Sequence, residues 1–216
     1  MPRLLLTAFR PFDHWNENAS WLALQAVMRD LPADLEVTTR LYPVDYDELR
    51  PRLAMDLATP YDAVLHLGQA SGSATLRLEQ FALNARRGAG ERSDQALPLE
   101  PDGPAAYRSR LPMADWTRRL RDAGVPTELS LHAGDYLCNA AMYWSHYLLE
   151  ASGREPRVGF VHIPIDLSQA TAAPHATPSL PTELAALAVR QIISWAVNTP
   201  PIDHLADAPT KIEGRA

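Results

Sequence analysis

Only one cysteine, Cys138, occurs in the 216-residue chain. A single thiol excludes an intrachain disulfide framework and a thiolate-rich zinc site. What remains for it is the part of a small buried apolar group or of a reactive thiol. Long apolar runs are missing too. No stretch approaches the roughly 20 residues that span a bilayer, and the opening MPRLLLTAFRPFD meets Pro11 and Asp13 too early for a secretory leader. The expectation is a cytoplasmic protein with no membrane partner. Charge of one sign does not accumulate either. The formal net charge of -6 is spread over interspersed acidic and basic residues, so no basic stripe exists to neutralise a phosphate backbone, and nucleic acid is set aside as a partner.

What the chain has is enough apolar material, 46% of its residues, for one substantial core. Residues 3–9, 34–41, 62–68, 127–132 and 157–163 read as short apolar strands bounded by turn residues. Helical patterns lie between them. Asn18 or Ser20 is placed to cap a helix through Arg29 with Trp21, Leu24, Val27 and Met28 inward, and Asp45 opens another through Leu57. A third runs from Met113 to Ala123 with Trp116 and Leu120 on one face and Gly124 as its stop. A fourth starts near Cys138, and the last carries Leu184, Leu187, Ala188, Ile192 and Trp195 at helical spacing. Strands alternating with helices predict an α/β fold with a mostly parallel sheet covered on both faces. Residues 85–112, rich in Gly, Pro, Arg and Asp, are too long for an ordinary connection and read as a functional loop or lid. The predicted single domain covers 1–205. The tail 206–216 has no apolar period, and its IEGR string resembles a protease-cleavage linker of the kind added to recombinant chains.

Cys138 sits where an extended segment, HAGDY, turns into an apolar helical pattern, so its thiol is expected near a helix N-terminus. Unpaired N–H groups and the positive end of the helix dipole favour a thiolate there and can receive an oxyanion. A thiol nucleophile needs a base, and seven histidines are available. His146 is eight residues along the helix, roughly 12 Å at 1.5 Å per residue, which is out of reach. His162 ends the strand RVGFVHIP, where sites in open α/β sheets gather, although an apolar strand also suits a core histidine. His66, inside DAVLHLG, reads as core. Glu79, in LRLEQF, is placed to project from an extended piece beside the sheet edge, where it either orients an imidazole or pairs with a neighbouring arginine. Phe9 and Phe12 flank a stiffening proline as the first strand leaves the sheet. Such a pair either sandwiches a flat ring or packs on the core.

Six stretches, LLLTAFRPF with NASW, GQASGSATLRLEQFALN, DGPAAYRSRLP, HAGDYLCN, RVGFVHIP and APHATPSLP, run over nearly the whole chain. In these the sequence resembles the pyroglutamyl peptidase I family, also called pyrrolidone-carboxylate peptidases, cysteine enzymes with an α/β/α sandwich fold. The resemblance implies Cys138, His162 and Glu79 as a catalytic triad, Phe9 and Phe12 as the aromatics holding the pyroglutamyl ring, and Gln69 and Asn18 at the pocket. It implies no metal and no cofactor, peptides with an N-terminal pyroglutamate as substrates, and room for a homo-oligomer. The chain departs from the family at Asp13 and His14, where two glycines are usual, at Ser71 for a glycine, at Ser73 for an arginine, and in the run ARRGAGER, so no loop arginine is carried over.

The implied chemistry is acyl transfer through a thioester. Two other readings stand beside it. One is a non-catalytic binder of small molecules that keeps the aromatic pocket. The other is a nucleoside phosphorylase-like transferase, since related sheets host that reaction.

Overall fold

The computed structural model describes residues 1–198 apart from 89, 90 and 156. The expected tail at 206–216, with its IEGR string, and His204 lie outside the described residues. The strands are β1 (Arg3–Phe9), β2 (Glu36–Tyr42), β3 (Ala63–Gln69), β4 (Leu76–Leu83), β5 (Ala106–Arg108), β6 (Thr127–His132) and β7 (Val158–Ile163). The helices are α1 (Ala19–Val27), α2 (Tyr46–Leu57), α3 (Met113–Asp122), α4 (Leu137–Ala151), α5 (Leu167–Ala172) and α6 (Thr182–Asn198). Strands β2, β1, β3 and β7 lie side by side and parallel. Strand β4 joins β7 antiparallel, with β6 parallel and β5 antiparallel against it. The α/β sandwich with a mostly parallel sheet is as expected.

Alternation along the strands fills two cores. Leu4, Leu6 and Ala8 face α1, α3 and α6 together with Leu65, Leu67, Leu76, Leu78 and Val161. Leu5 and Phe9 face α2 and α4 together with Val64 and Phe160. Strand β3 is buried along its whole length, as a central parallel strand must be. Local signals place the helices: Asn18 Oδ1 accepts from Ser20 N–H at the start of α1, Asp45 caps α2, and Gly124 leaves α3 at φ 80°. Among the described residues no helix is long and apolar enough to cross a membrane, and no cluster of His, Cys, Asp and Glu fit to hold a metal ion is found.

Three expectations are corrected. Glu79 does not stand beside the sheet edge, because β4 is an interior strand flanked by β7 and β6, and its side chain is 1% exposed. Met28 and Leu187, expected on apolar faces, are 40% and 42% exposed, since α1 and α6 turn them past the rim of the core. Residues 85–112 are no free lid in their described part. Asn84 Oδ1 accepts from Leu99 and Glu100 N–H, Tyr143 donates to Pro104 O, and Leu99 and Leu111 are buried, so the segment packs onto α4 and β7.

Candidate active site

Strand β7 ends in His162, and its parallel neighbour β3 sets Gly68 opposite it in register. Antiparallel pairing sets Arg77 of β4 opposite His162 on the other side, which carries Glu79 to the imidazole on the α4 face of the sheet. The result is a 2.7 Å contact between His162 Nδ1 and Glu79 Oε1. Cys138 lies close enough to act on the same imidazole and favours its charged form, so the ring is within reach of both carboxylate and thiol. Burial disfavours the imidazolium, but Cys138 and then Glu79 outweigh it and push the His162 pKa up to about 10.

Cys138 is the second residue of α4, whose N-cap Tyr136 offers no side-chain cap. The first N–H groups of the helix are therefore left to point at whatever sits beside the sulfur. Asn139 fixes the position of this helix end, with Oδ1 accepting from Leu83 N–H and Nδ2 donating to the carbonyls of Leu83 and Ala85. Gly68 lets the helix approach. A β-carbon there would lie 2.7 Å from the Phe160 ring and 3.0 Å from Cys138 Sγ.

Beside the thiol is a slot of about 30 Å³ lined by Phe9, Phe12, Asn18, Val44, Gln69, Tyr136, Leu137 and Cys138. Phe9 is buried and Phe12 half-buried. Asn18 shapes the wall, donating from Nδ2 to Arg10 O while its Oδ1 caps α1. The amide of Gln69 is held in one orientation: Oε1 accepts from Ala19 N–H and Gln169 Nε2, and Nε2 donates to Ser71 Oγ. Its second N–H hydrogen remains for a ligand. On the other side of the thiol a groove of about 640 Å³ is lined by Arg77, Glu79, Ser130, His132, Gly134 and His162 among others, and Gln69 borders it as well.

All seven residues expected at the site thus lie around one slot and one groove. Val44, Tyr136 and Gln169 were not anticipated. Of these only Gln169 left a signal, the Asp-x-x-Gln pattern of a capping box at the start of α5. Asp13 takes a left-handed backbone, at φ 56°, a region open to glycine that Asp tolerates better than most residues. Ser71 supplies a bond to Gln69 that a glycine lacks, and Gly72 at φ 85° keeps the turn. Ser73, where the family has an arginine, is buried and bonds Thr75. Of the other described histidines, only His132 borders the groove. His66 is bound between Thr7 Oγ1 and Ser145 Oγ, His146 is buried against Tyr107, and the exposed His132 takes Gly134 N–H at Nδ1.

A model of a family described as pyroglutamyl peptidase matches residues 2–199. A pyrrolidone-carboxylate peptidase of Streptomyces coelicolor is 36% identical, with 93% of this chain and 94% of that protein covered. Among solved structures, the pyrrolidone carboxyl peptidase of Thermus thermophilus is similar at 34% identity with a TM-score of 0.77, over 88% of this chain and 98% of that one. The pyrrolidone carboxyl peptidase of Fervidobacterium islandicum gives 28% and 0.82, over 90% and 98%.

Proposed function

The chain belongs to the pyroglutamyl peptidase family and is a hydrolase, and on that premise we propose that it cleaves the amide bond after an N-terminal pyroglutamyl residue of peptides through a thioester on Cys138. The observation that carries this reading is the position of His162 between the Glu79 carboxylate and the Cys138 thiol. His162 takes the thiol proton, and the thiolate adds to the carbonyl that joins the ring residue to the next one. The oxyanion meets the uncapped N–H groups of α4. Collapse breaks the C–N bond as His162 protonates the leaving amine. Water, deprotonated by His162, then adds to the thioester, and pyroglutamate leaves as the thiol is restored. Glu79 keeps the imidazole in the tautomer with Nε2 toward the sulfur. No step calls for a metal or a cofactor.

The slot supports a flat, neutral lactam. Phe9 and Phe12 offer ring faces, and Gln69 Nε2–H offers a donor to the ring carbonyl. The groove gives the leaving peptide an exit. Hydrolysis of a pyroglutamyl reporter amide, and its loss in Cys138→Ala, is the direct test. His162→Ala is expected to be about as damaging to turnover as Cys138→Ala, with Glu79→Gln milder. An active Cys138→Ala enzyme, or His132→Ala as harmful as His162→Ala, would overturn the assignment.

A further inference from the structure

One oxygen of Glu79 is accounted for by His162, but the other, Oε2, is buried and has no hydrogen-bond partner among the described residues. A buried carboxylate oxygen without a donor is costly, and the cost rises when the charge must persist beside a reacting imidazole. Charged and titratable groups face this carboxylate from each element packed around it. They are His162 on β7, Arg77 on β4 itself, Glu128 and His132 on β6, and Cys138 on α4. Arg77 is committed, its Nε donating to Glu128 Oε1 at 2.6 Å. His132 receives Gly134 N–H at Nδ1 and is exposed.

Ser130 is different. It is the in-register partner of Glu79 in the parallel β4–β6 ladder, so the two side chains stand on the same face of strands spaced about 4.8 Å apart. Both line the groove. Among the described residues the Ser130 hydroxyl has only a long contact, 3.4 Å, to His132 O, and turning χ1 to another staggered well costs little.

We propose that Ser130 is a positioning residue of the catalytic apparatus, its hydroxyl turning to donate to Glu79 Oε2 when His162 carries the thiol proton. This rests on the reading of Glu79 and His162 given above. The hydroxyl would hold the carboxylate aimed at the imidazole, so its effect belongs to turnover rather than to substrate affinity. Ser130→Ala is expected to lower kcat about tenfold with KM nearly unchanged.

The isosteric pair Ser130→Thr and Ser130→Val, both suited to a strand, separates hydroxyl from packing even if alanine harms folding. Threonine should restore kcat, and valine should match alanine. In a Glu79→Gln background, Ser130→Ala should add little. Equal activity of the threonine and valine enzymes, a loss in Ser130→Ala that falls on KM rather than kcat, or effects of Ser130→Ala and Glu79→Gln that multiply would each overturn the proposal. A fully active Glu79→Gln enzyme would instead remove the reading of Glu79 on which it rests, while the cysteine chemistry would still be judged by Cys138→Ala.

Discussion

Gly68 and Cys138 leave no room between them for a side chain, since a β-carbon on the glycine would lie 3.0 Å from the sulfur. The same carbon would press on Phe160, whose ring is 4.7 Å from that of His162. Gly68→Ala is therefore expected to push the thiol and the imidazole out of line together. Turnover of a pyroglutamyl amide should fall by about two orders of magnitude, while the fold loses only about 1–3 kcal/mol, read as a urea midpoint. A Gly68→Ala enzyme with unchanged kcat would mean that α4 has slack the packing does not show.

Selectivity follows from the slot. Proline has the ring but lacks the lactam carbonyl proposed to meet Gln69 Nε2–H, and it brings an ammonium into an aromatic cleft. Sites that pair a polar group reject analogues lacking it by roughly four orders of magnitude. Prolyl and alanyl reporter amides should be cleaved hardly at all, and Phe12→Ala should weaken inhibition by free pyroglutamate. Similar rates on prolyl and pyroglutamyl amides would sink the slot assignment.

Acid should destabilise the fold through two histidines outside the site. Burial holds His66 and His146 neutral, with pKa values lowered to about 3 in each case, and His146 further disfavours charge on His66. The unfolded chain binds protons near pH 6.5 where the folded one does not. Their contribution is thus complete above about pH 6.5 and is lost as pH falls toward 3, at about 1.4 kcal/mol per pH unit for each. Denaturant midpoints measured between pH 7.5 and 4 should show the slope. His146→Phe, which keeps the stack on Tyr107, should reduce it, and an unchanged slope would contradict the burial argument. Activity should fail at the other end, where His162 loses its proton as pH rises through about 10.

Asp166 joins two helices to the slot. Its Oδ1 accepts from Ser168 N–H at the start of α5, and its Oδ2 accepts from Thr182 N–H and Oγ1–H at the start of α6. The capping box places Gln169, whose Nε2 holds Gln69 Oε1. Asp166→Ala is expected to cost about 2 kcal/mol or more, because two caps are lost at once, and to raise KM more than it lowers kcat. Although burial opposes the charge, the bonds from Thr182 and Ser168 hold the Asp166 pKa down at about 2. Its stabilisation is therefore present above the ordinary carboxylate range and disappears as pH falls toward 2. A KM unaffected by Asp166→Ala would detach this cap from substrate binding.

The parts of this site that the sequence made legible depend on local rules. Cys138 stands at a helix start and His162 at a strand end, and both are set by the residues beside them. Asn18, Asp45 and Gly124 announce helix ends in the same way. Strand β4 reads from sequence only as an extended piece because Arg77, Glu79 and Gln80 interrupt its apolar pattern, and the burial of Glu79 comes from strands about 80 and about 50 residues away in sequence. Met28 and Leu187 show the converse error, an apolar period running past the surface it was taken to bury. Val44 reaches the slot through tertiary packing alone, and the capping box that marks Gln169 does not announce its bond to Gln69.

None of the three proposed reacting groups is carried by a surface loop. Cys138 belongs to α4, His162 to β7 and Glu79 to β4; the two strands lie in the sheet, and all three elements contribute to one of its two cores. Amide protons of such elements exchange only through the largest opening events of a domain. The site therefore has no private route to disorder. Partial opening at chain ends or exposed turns should leave hydrolysis intact, and on heating the catalyst should fail in the same transition that melts the sheet.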